Sequence, residues 1–479
     1  MTKSERRDSC SPGLANALPP QDAAKSRGVS QGQVITMPDD KRALDYLRQF
    51  GYLPVEAALD SPQGPAAVRA CQAMALLPAT GALDAETEKV FERPRCGFPD
   101  RKGAREGGLG TFVAFGTVWD HAIITYRINN LSPDLDSGRQ RSLMSTAWDR
   151  WASVVPLIFR ETDGEPDVEI LFGARQHGDA FPFDGPGGVL AHAFFPPPNA
   201  GTLAGDAYFD EDETWQEGFT GSGFDLLTVM VHEFGHSLGL DHTSVPGSTM
   251  NPFYPTPSVP AADDRAGIRA VYRRHIWVAS LYRDVLGRRF DDNGLDGWVR
   301  SLFSGAGPQD VARGFCYSQE YSGQIATELY FALLDRAPDD AGLAGWRGQL
   351  QQGMGRQSAV VAFLDSAEYR AKYPADDAFI DSLYRRLLGR PPDAGGLDFW
   401  RRRMQDGMPR FEVARGFVLS EEYCRNHSRD LYQRYLRRQP DAAGWRDWTD
   451  QLMRGLNQQD ALIGFVASPE YQTAVEGWW

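Results

Sequence analysis

The run His232-Glu233-Phe234-Gly235-His236-Ser237-Leu238-Gly239-Leu240-Asp241-His242 decides how this chain is read. His232 and His236, four residues apart, lie on one face of a helix, so both imidazoles can meet one ion. Glu233 sits beside them, where it can reach a metal-bound water. Gly239 allows a left-handed backbone that ends the helix and turns the chain back. That turn brings in His242 as a third ligand. Three neutral imidazoles leave the fourth position of a zinc ion open, which is the catalytic arrangement rather than the closed structural one. The plainer reading is a helix with satisfied surface histidines, and five residues at these offsets argue against it.

The rest of the chain is too long for one domain. At roughly 150 residues per domain, 479 residues suggest about three. Apolar residues at 42% and charged residues at 24% exclude a fibrous chain and a mostly disordered one. No run of 18 apolar residues occurs, so no helical membrane span is expected. Lys plus Arg is 50 against 64 for Asp plus Glu, a net charge of −14. That balance argues against a nucleic-acid partner and suits a protein that holds divalent cations. Cysteines at 10, 71, 96, 316 and 424 are odd in number and irregularly spaced, so no disulfide framework is implied. Residues 1–38, rich in Ser, Pro, Gly, Ala and charge, are expected to be a disordered leader. They lack the apolar stretch of a classical signal peptide, so any export uses a route that the sequence does not display.

Within residues 39–100, positions 39–92 read as a small helical unit. Leu44, Leu47, Phe50 and Leu53 form one apolar face, and Val68, Cys71, Ala75 and Leu76 a second. Asp84 opens a third helix, and Thr80-Gly81 breaks the pattern before it. Residues 101–111 are a Gly-rich basic linker open to trypsin-like cleavage. Residues 112–275 alternate short strands, such as Ile123–Tyr126 and Val168–Leu171, with helices at 139–153 and 224–240. From residue 276 to 479 the chain repeats itself four times. Tyr282, Tyr330, Tyr384 and Tyr432 open units 48, 54 and 48 residues apart. In every unit Asp follows the Tyr by nine residues, Gly by twelve and Trp by sixteen, and Phe, Ser and Tyr follow at 33, 36 and 39. Each Asp is expected to cap a helix, and the aromatics are spaced as core.

The eleven-residue run, followed by Ser248-Thr249-Met250-Asn251-Pro252, resembles a metzincin peptidase with its Met-turn, Met250 lying beneath the zinc. More narrowly, the chain is similar to the matrixins, the matrix-metalloproteinase family. Pro94-Arg95-Cys96-Gly97-Phe98-Pro99-Asp100 resembles the cysteine-switch motif of their propeptides, and residues 40–92 resemble the peptidoglycan-binding-like unit that precedes it. His177-Gly178-Asp179, the glycine loop from Phe183 to Gly188, Leu190-Ala191-His192 and the acidic run from Gly205 to Glu213 resemble the matrixin metal loops in order. The repeats resemble a bacterial domain of unknown function related to phycobilisome-linker domains.

The resemblance implies an α+β protein with a helical propeptide, a twisted mixed sheet with three helices in the catalytic domain, and an all-α tail. It implies a secreted zinc endopeptidase made as a zymogen, with protein or peptide substrates and an activating protease as partners. Glu233 would be the general base and acid, and the Cys96 thiolate would fill the open zinc position until the linker is cut. Residues 188–192 would pair with an extended peptide, Pro252-Phe253-Tyr254 would wall the pocket after the scissile bond, and Thr228 would leave that pocket open. A second zinc would take His177, Asp179 and His192, with Tyr208 where the fourth ligand is expected. Calcium would take Asp184, Asp210 and Glu213 with the carbonyls of Gly185, Gly187 and Val189. A second calcium would take Asp167 and Asp206 with carbonyls from 202 and 204. Rival readings are an adhesin or scaffold with a degenerate protease domain, favoured by Tyr208 alone, and a cell-wall enzyme guided by the N-terminal unit.

Overall fold

Period-two burial along Ile123–Ile128 and Val168–Gly173 lays down the strands on which the site is built. The structure is a computed structural model and describes residues 40–100, 117–198 and 200–479. The leader and the linker at 101–111 lie outside the described residues.

The N-terminal unit has helices α1 (Asp40–Gln49), α2 (Gly64–Met74) and α3 (Ala85–Val90). They bury Leu47, Phe50, Leu53, Val68, Cys71 and Ala75 against one another. Leu76 departs from the expected face. The helix stops at Met74, Leu76 takes a left-handed backbone with φ 61°, and its side chain is turned outward. Asp84 caps α3 by accepting the Thr87 N–H, as a helix opening there requires. The chain then runs extended through β1 (Arg95–Cys96).

Strands β2 (Ile123–Ile128), β3 (Ile158–Glu161), β4 (Val168–Gly173), β5 (Val189–Ala193) and β6 (Ala207–Asp210) join β1 in one mixed sheet of order β1-β5-β6-β4-β2-β3. β5 is antiparallel to β6, while the other pairings, that of β1 with β5 included, are parallel. Helices α4 (Ser137–Ala152), α5 (Leu226–Ser237) and α6 (Ala262–Val271) complete this part. α5 is buried along nearly its whole length, with His232, Glu233 and His236 among its buried residues, as befits a central helix that carries a site. Trp148 stacks on Phe234, and Trp151 donates its indole N–H to the Val231 carbonyl, so α4 clamps α5 in place.

α7 (Arg273–Asp284) runs straight across the expected boundary at 275/276. Its Trp277 lies in the same core as the sheet, and its indole N–H donates to the Val466 carbonyl of the fourth repeat. Asp296 of the first repeat accepts the N–H groups of Ala122 and Ile123 at the start of β2. The first and fourth repeats share that core, and the second and third share another. The array therefore closes on itself instead of extending as an open rod. Among the described residues no helix is long and apolar enough to cross a membrane.

The repeat signature has a physical account. Asp291, Asp339, Asp393 and Asp441 each cap a helix by accepting the N–H of the glycine three residues on. The Phe-x-x-Ser-x-Glu-Tyr stretch spans the junction of two helices. Phe315 lies near the end of one helix, and Ser318 caps the next, as its counterparts do. Arg288, Arg336, Arg390 and Arg438 each place a forked pair of bonds on a glutamate 32 residues on. The six extra residues of the second unit fall after Tyr369, where the helix that is continuous at Glu421–Tyr435 breaks at Lys372.

The glycine twelve residues after each Tyr lies under that tyrosine's hydroxyl. A Cβ on Gly342 would stand 2.1 Å from the Tyr330 oxygen, whereas one on Gly345, a turn later, would meet nothing. Gly345→Ala should therefore stabilise the protein by about 0.5–1 kcal/mol through helix propensity. Gly342→Ala should destabilise it by about 1–3 kcal/mol through overpacking. Urea denaturation of the two variants checks the opposite signs.

Candidate active site

α5 ends at Ser237, and just beyond it Gly239, with a φ of 98°, turns the chain sharply. A side chain there would strike the Thr117 carbonyl. The turn brings His242 to His232 and His236. The Nε2 atoms of His232 and His236 each lie 3.1 Å from that of His242. Nitrogens at about 2.0–2.1 Å on a tetrahedral zinc are separated by about 3.3 Å, so the spacing fits that ion.

Each ring is aimed by its other nitrogen. His232 Nδ1 lies 2.7 Å from the Thr249 carbonyl, and His236 Nδ1 lies 2.7 Å from the Leu240 carbonyl. His242 Nδ1 lies 2.7 Å from Asp100 Oδ1. These acceptors take the Nδ1–H and leave the Nε2 lone pairs facing one another. Burial, then the neighbouring His242, pushes the pKa of His232 down to about 3. His236 and His242 are also lowered, chiefly by burial. All three are neutral imidazoles, as ligation requires.

Met250 lies beneath α5, and a Cβ on Gly235 would fall 2.3 Å from its sulfur. The turn that carries Met250 is anchored by a residue the sequence reading missed. Buried Asp264 accepts hydrogen bonds from the Ser248 hydroxyl and from the N–H groups of Thr249, Met250 and Ala261. Its only sequence signal was an acid in the first turn of α6.

The segment 94–97 fills the cleft between β5 and residues 252–254. Arg95 N–H donates to the Gly188 carbonyl, Gly97 N–H to Ala191, Cys96 N–H to Pro252, and Tyr254 N–H to the Pro94 carbonyl. Cys96 Sγ thereby comes to 3.5 Å from Glu233 Oε2 and 3.6 Å from His236 Nε2. Cys96, His232, His236 and His242 form a buried cluster able to hold one metal ion. Burial pushes Glu233 up to about 8 and the Cys96 thiol well above its ordinary value, Glu233 adding to the latter. A bound dication reverses that logic and favours the thiolate.

Arg95 and Asp100, quoted in the motif but given no role, hold this segment down. Arg95 Nη2 lies 2.5 Å from Asp100 Oδ1, both side chains being buried. The guanidinium stacks 3.5 Å above the Phe50 ring and donates to the Tyr46 hydroxyl. Burial alone would raise Asp100, but Arg95 and His242 bring its pKa down to about 2. Thr228 does not line the small cleft beside Cys96. Its hydroxyl donates to Asp225 at the head of α5, and Val229, Leu190 and Tyr254 form the walls instead.

His177, Asp179 and His192 form a second cluster. His192 Nε2 lies 2.6 Å from Asp179 Oδ2, and buried His177 Nε2 lies 3.3 Å from Asp179 Oδ1 with no hydrogen bond to any described residue. That stranded lone pair fits an ion. Tyr208 faces His192 across the β5–β6 pair, but its hydroxyl is directed at Asp206, 3.3 Å away. Burial, then Asp206, raises the phenol pKa further.

The acidic loop is drawn together less tightly. Asp184 and Glu213 accept the N–H groups of Val189 and Gly187, and Asp210 Oδ2 is buried without a hydrogen-bond partner among the described residues. Burial, then Asp210 and Asp184, raises Glu213 to about 7, which is the cost that a cation there would relieve. Asp167 and Asp206 are committed to separate partners. Asp167 accepts from Thr125 and pairs with His121, while Asp206 accepts from Glu169 and Tyr208.

A family model described as Matrixin matches residues 118–273. A model described as a domain of unknown function, DUF4214, matches residues 271–325, 322–373, 362–427 and 428–475. The chain is 41% identical to matrilysin of Felis catus over 215 residues, which cover 45% of this chain and 78% of that protein. It is 40% identical to matrix metalloproteinase-25 of Homo sapiens over 256 residues, 49% of this chain and 45% of that protein. It is 39% identical to neutrophil collagenase of Homo sapiens over 243 residues, 48% of this chain and 50% of that one. The chain thus spans half or less of most of these relatives.

Breaking a buried ion pair by removing one partner costs about 3–5 kcal/mol. Arg95→Met should therefore loosen the 94–97 segment. Cys96 should then react with a thiol reagent on the order of 10²-fold faster, at 1.4 kcal/mol per factor of ten. Peptide mapping of the labelled thiol checks this, and an unchanged rate would show that the pair does not hold the segment.

Proposed function

This chain belongs to the matrixin family, and on that premise we propose that it is a zinc-dependent endopeptidase made as a cysteine-switch zymogen and active outside the cell. The observation that carries the proposal is the convergence of three Nε2 atoms on one point, with Cys96 Sγ and Glu233 beside it. His232, His236 and His242 would hold the ion. A bound zinc supplies a water of lowered pKa and polarises a carbonyl.

The chain's own residues do the rest. Backbone groups of β5, now paired with residues 95–97, bind the extended substrate as an added strand once that segment leaves. Pro252 and Tyr254 orient it from the other side. Glu233 takes a proton from the attacking water and returns it to the leaving amine. Cys96 excludes water from this space in the latent chain. Cleavage within 101–111 by an activating protease frees the N-terminal unit. The carboxylates of Asp184, Asp210 and Glu213 are proposed to hold calcium, which would brace the loop that leads into β5.

Glu233→Ala should leave zinc content and melting temperature near those of the parent and lower kcat/KM on casein by on the order of 10²–10⁴-fold. Cys96→Ser should yield a chain that cleaves itself during expression, since a hydroxyl ligates zinc far more weakly than a thiolate. A Ser variant as latent as the parent would remove Cys96 from the switch.

The second cluster is proposed to hold a weaker zinc, because Tyr208 adds no ready fourth ligand. Mass-spectrometric metal counting through a chelator titration should show one zinc lost before the other. Tyr208→His should make that zinc harder to remove and raise the melting temperature, since binding energy at such a site adds to folding energy. Two equally resistant zincs in the parent would contradict the assignment.

A further inference from the structure

The cleft has an inner and an outer face, and the segment that fills it shows what each receives. Side chains of an extended strand alternate, and residues opposite one another on neighbouring strands point the same way. Cys96 and Leu190 face inward, to the histidines and the small pocket beside them. Arg95 is bridged to Val189 on one side and to Phe253 on the other. These three side chains face outward, where Val189 and Phe253 join the apolar cluster of the N-terminal unit.

Phe253 is 2% exposed, and two guanidinium groups lie over its ring, Arg93 at 4.4 Å from the centroid and Arg95 at 4.9 Å. An aromatic face attracts a cation within about 6 Å of its centroid. Arg95 is also paired with Asp100, whereas the acceptor that Arg93 finds among the described residues is the Ala75 carbonyl, at 3.5 Å. The charge of Arg93 is thus set on the ring of Phe253 and not on a carboxylate. Both arginines belong to the unit that the proposed activation removes, while Phe253 and Val189 belong to the part that stays. An extended substrate meets the same alternation of faces. The residue directly after the cut points inward, to the pocket walled by Leu190, Val229 and Tyr254. The next residue points outward and stands between Val189 and Phe253, in the place that Arg95 holds in the latent chain.

We propose that Phe253 is a specificity-determining residue, whose ring selects substrates with arginine or lysine as the second residue after the scissile bond. The inference rests on the peptidase reading and names a class of substrate for it.

The test uses the full chain activated with trypsin, which is then quenched by a serine-protease inhibitor. A peptide scaffold is taken from a site that this preparation cuts in casein. It carries arginine, citrulline, lysine or acetyl-lysine as the second residue after the cut, and mass spectrometry of the products confirms the cut position. Citrulline keeps the length and planarity of arginine without its charge, so each pair isolates the cation. The arginine peptide should be cut about two- to fivefold faster than the citrulline peptide in kcat/KM, the range for a cation over an exposed ring. Lysine should likewise exceed acetyl-lysine. Phe253→Leu should bring both ratios to one, and Phe253→Tyr should keep them. A ratio within one variant divides out any change in its overall rate, and Phe253→Met replaces the Leu variant should that one not fold. Equal rates for arginine and citrulline in the parent, or a preference that survives the loss of the ring, would overturn the proposal. Casein cut with flat peptide rates would remove this inference alone, whereas no cleavage of casein would remove the peptidase reading and this inference with it.

Discussion

Three imidazoles face one point because each has its second nitrogen tied to a fixed oxygen, and much of the surrounding architecture exists to fix those oxygens. The Thr249 carbonyl is held by the turn that Asp264 pins with three hydrogen bonds. The Leu240 carbonyl is presented by the reversal at Gly239. Beneath them α5 is clamped by two tryptophans of α4. A ring free to rotate would present its Nε2 only part of the time, and affinity for an ion would fall accordingly.

The third oxygen comes from a different part of the chain. Asp100 of the N-terminal unit orients His242 while pairing with Arg95, so the segment that blocks the cleft also completes the orientation of a ligand. Blocking the cleft and ordering His242 are thus coupled through Asp100. The segment itself is held on both sides by backbone hydrogen bonds, to β5 and to residues 252–254. It runs parallel to β5, so the cleft is filled by an added strand in a defined direction.

The metal-binding run was legible because a helix period and a glycine turn are local, and the reading of His232, His236 and His242 needed nothing from elsewhere. The strands at 123 and 168 and the helices at 139 and 224 were legible for the same reason. What the sequence did not reveal depends on distant contacts. Asp100 acts on His242, far along the chain, and Asp264 reaches back 14–16 residues to the turn around Met250. Leu76 looked like part of an apolar face, yet its backbone turns over just past the helix end. Thr228 was expected to leave the pocket open, and local capping of α5 claims its hydroxyl. The separate commitments of Asp167 and Asp206 likewise follow from strand pairing and not from their spacing. In the tail, periodicity identified the four units, whereas their closure through Trp277 and Val466 required the packed structure.

One tail of four helical units therefore stands against the catalytic sheet and shares its core, which makes the molecule a single packed body from β2 onward. The central claim is that Cys96 completes the coordination of the ion held by His232, His236 and His242. Zinc-edge X-ray absorption on the intact chain tests it most directly. The account predicts a sulfur shell at about 2.3 Å, one sulfur on the ion at this site and none on a second zinc, beside nitrogens at about 2.0–2.1 Å. A shell of nitrogen and oxygen alone would contradict it.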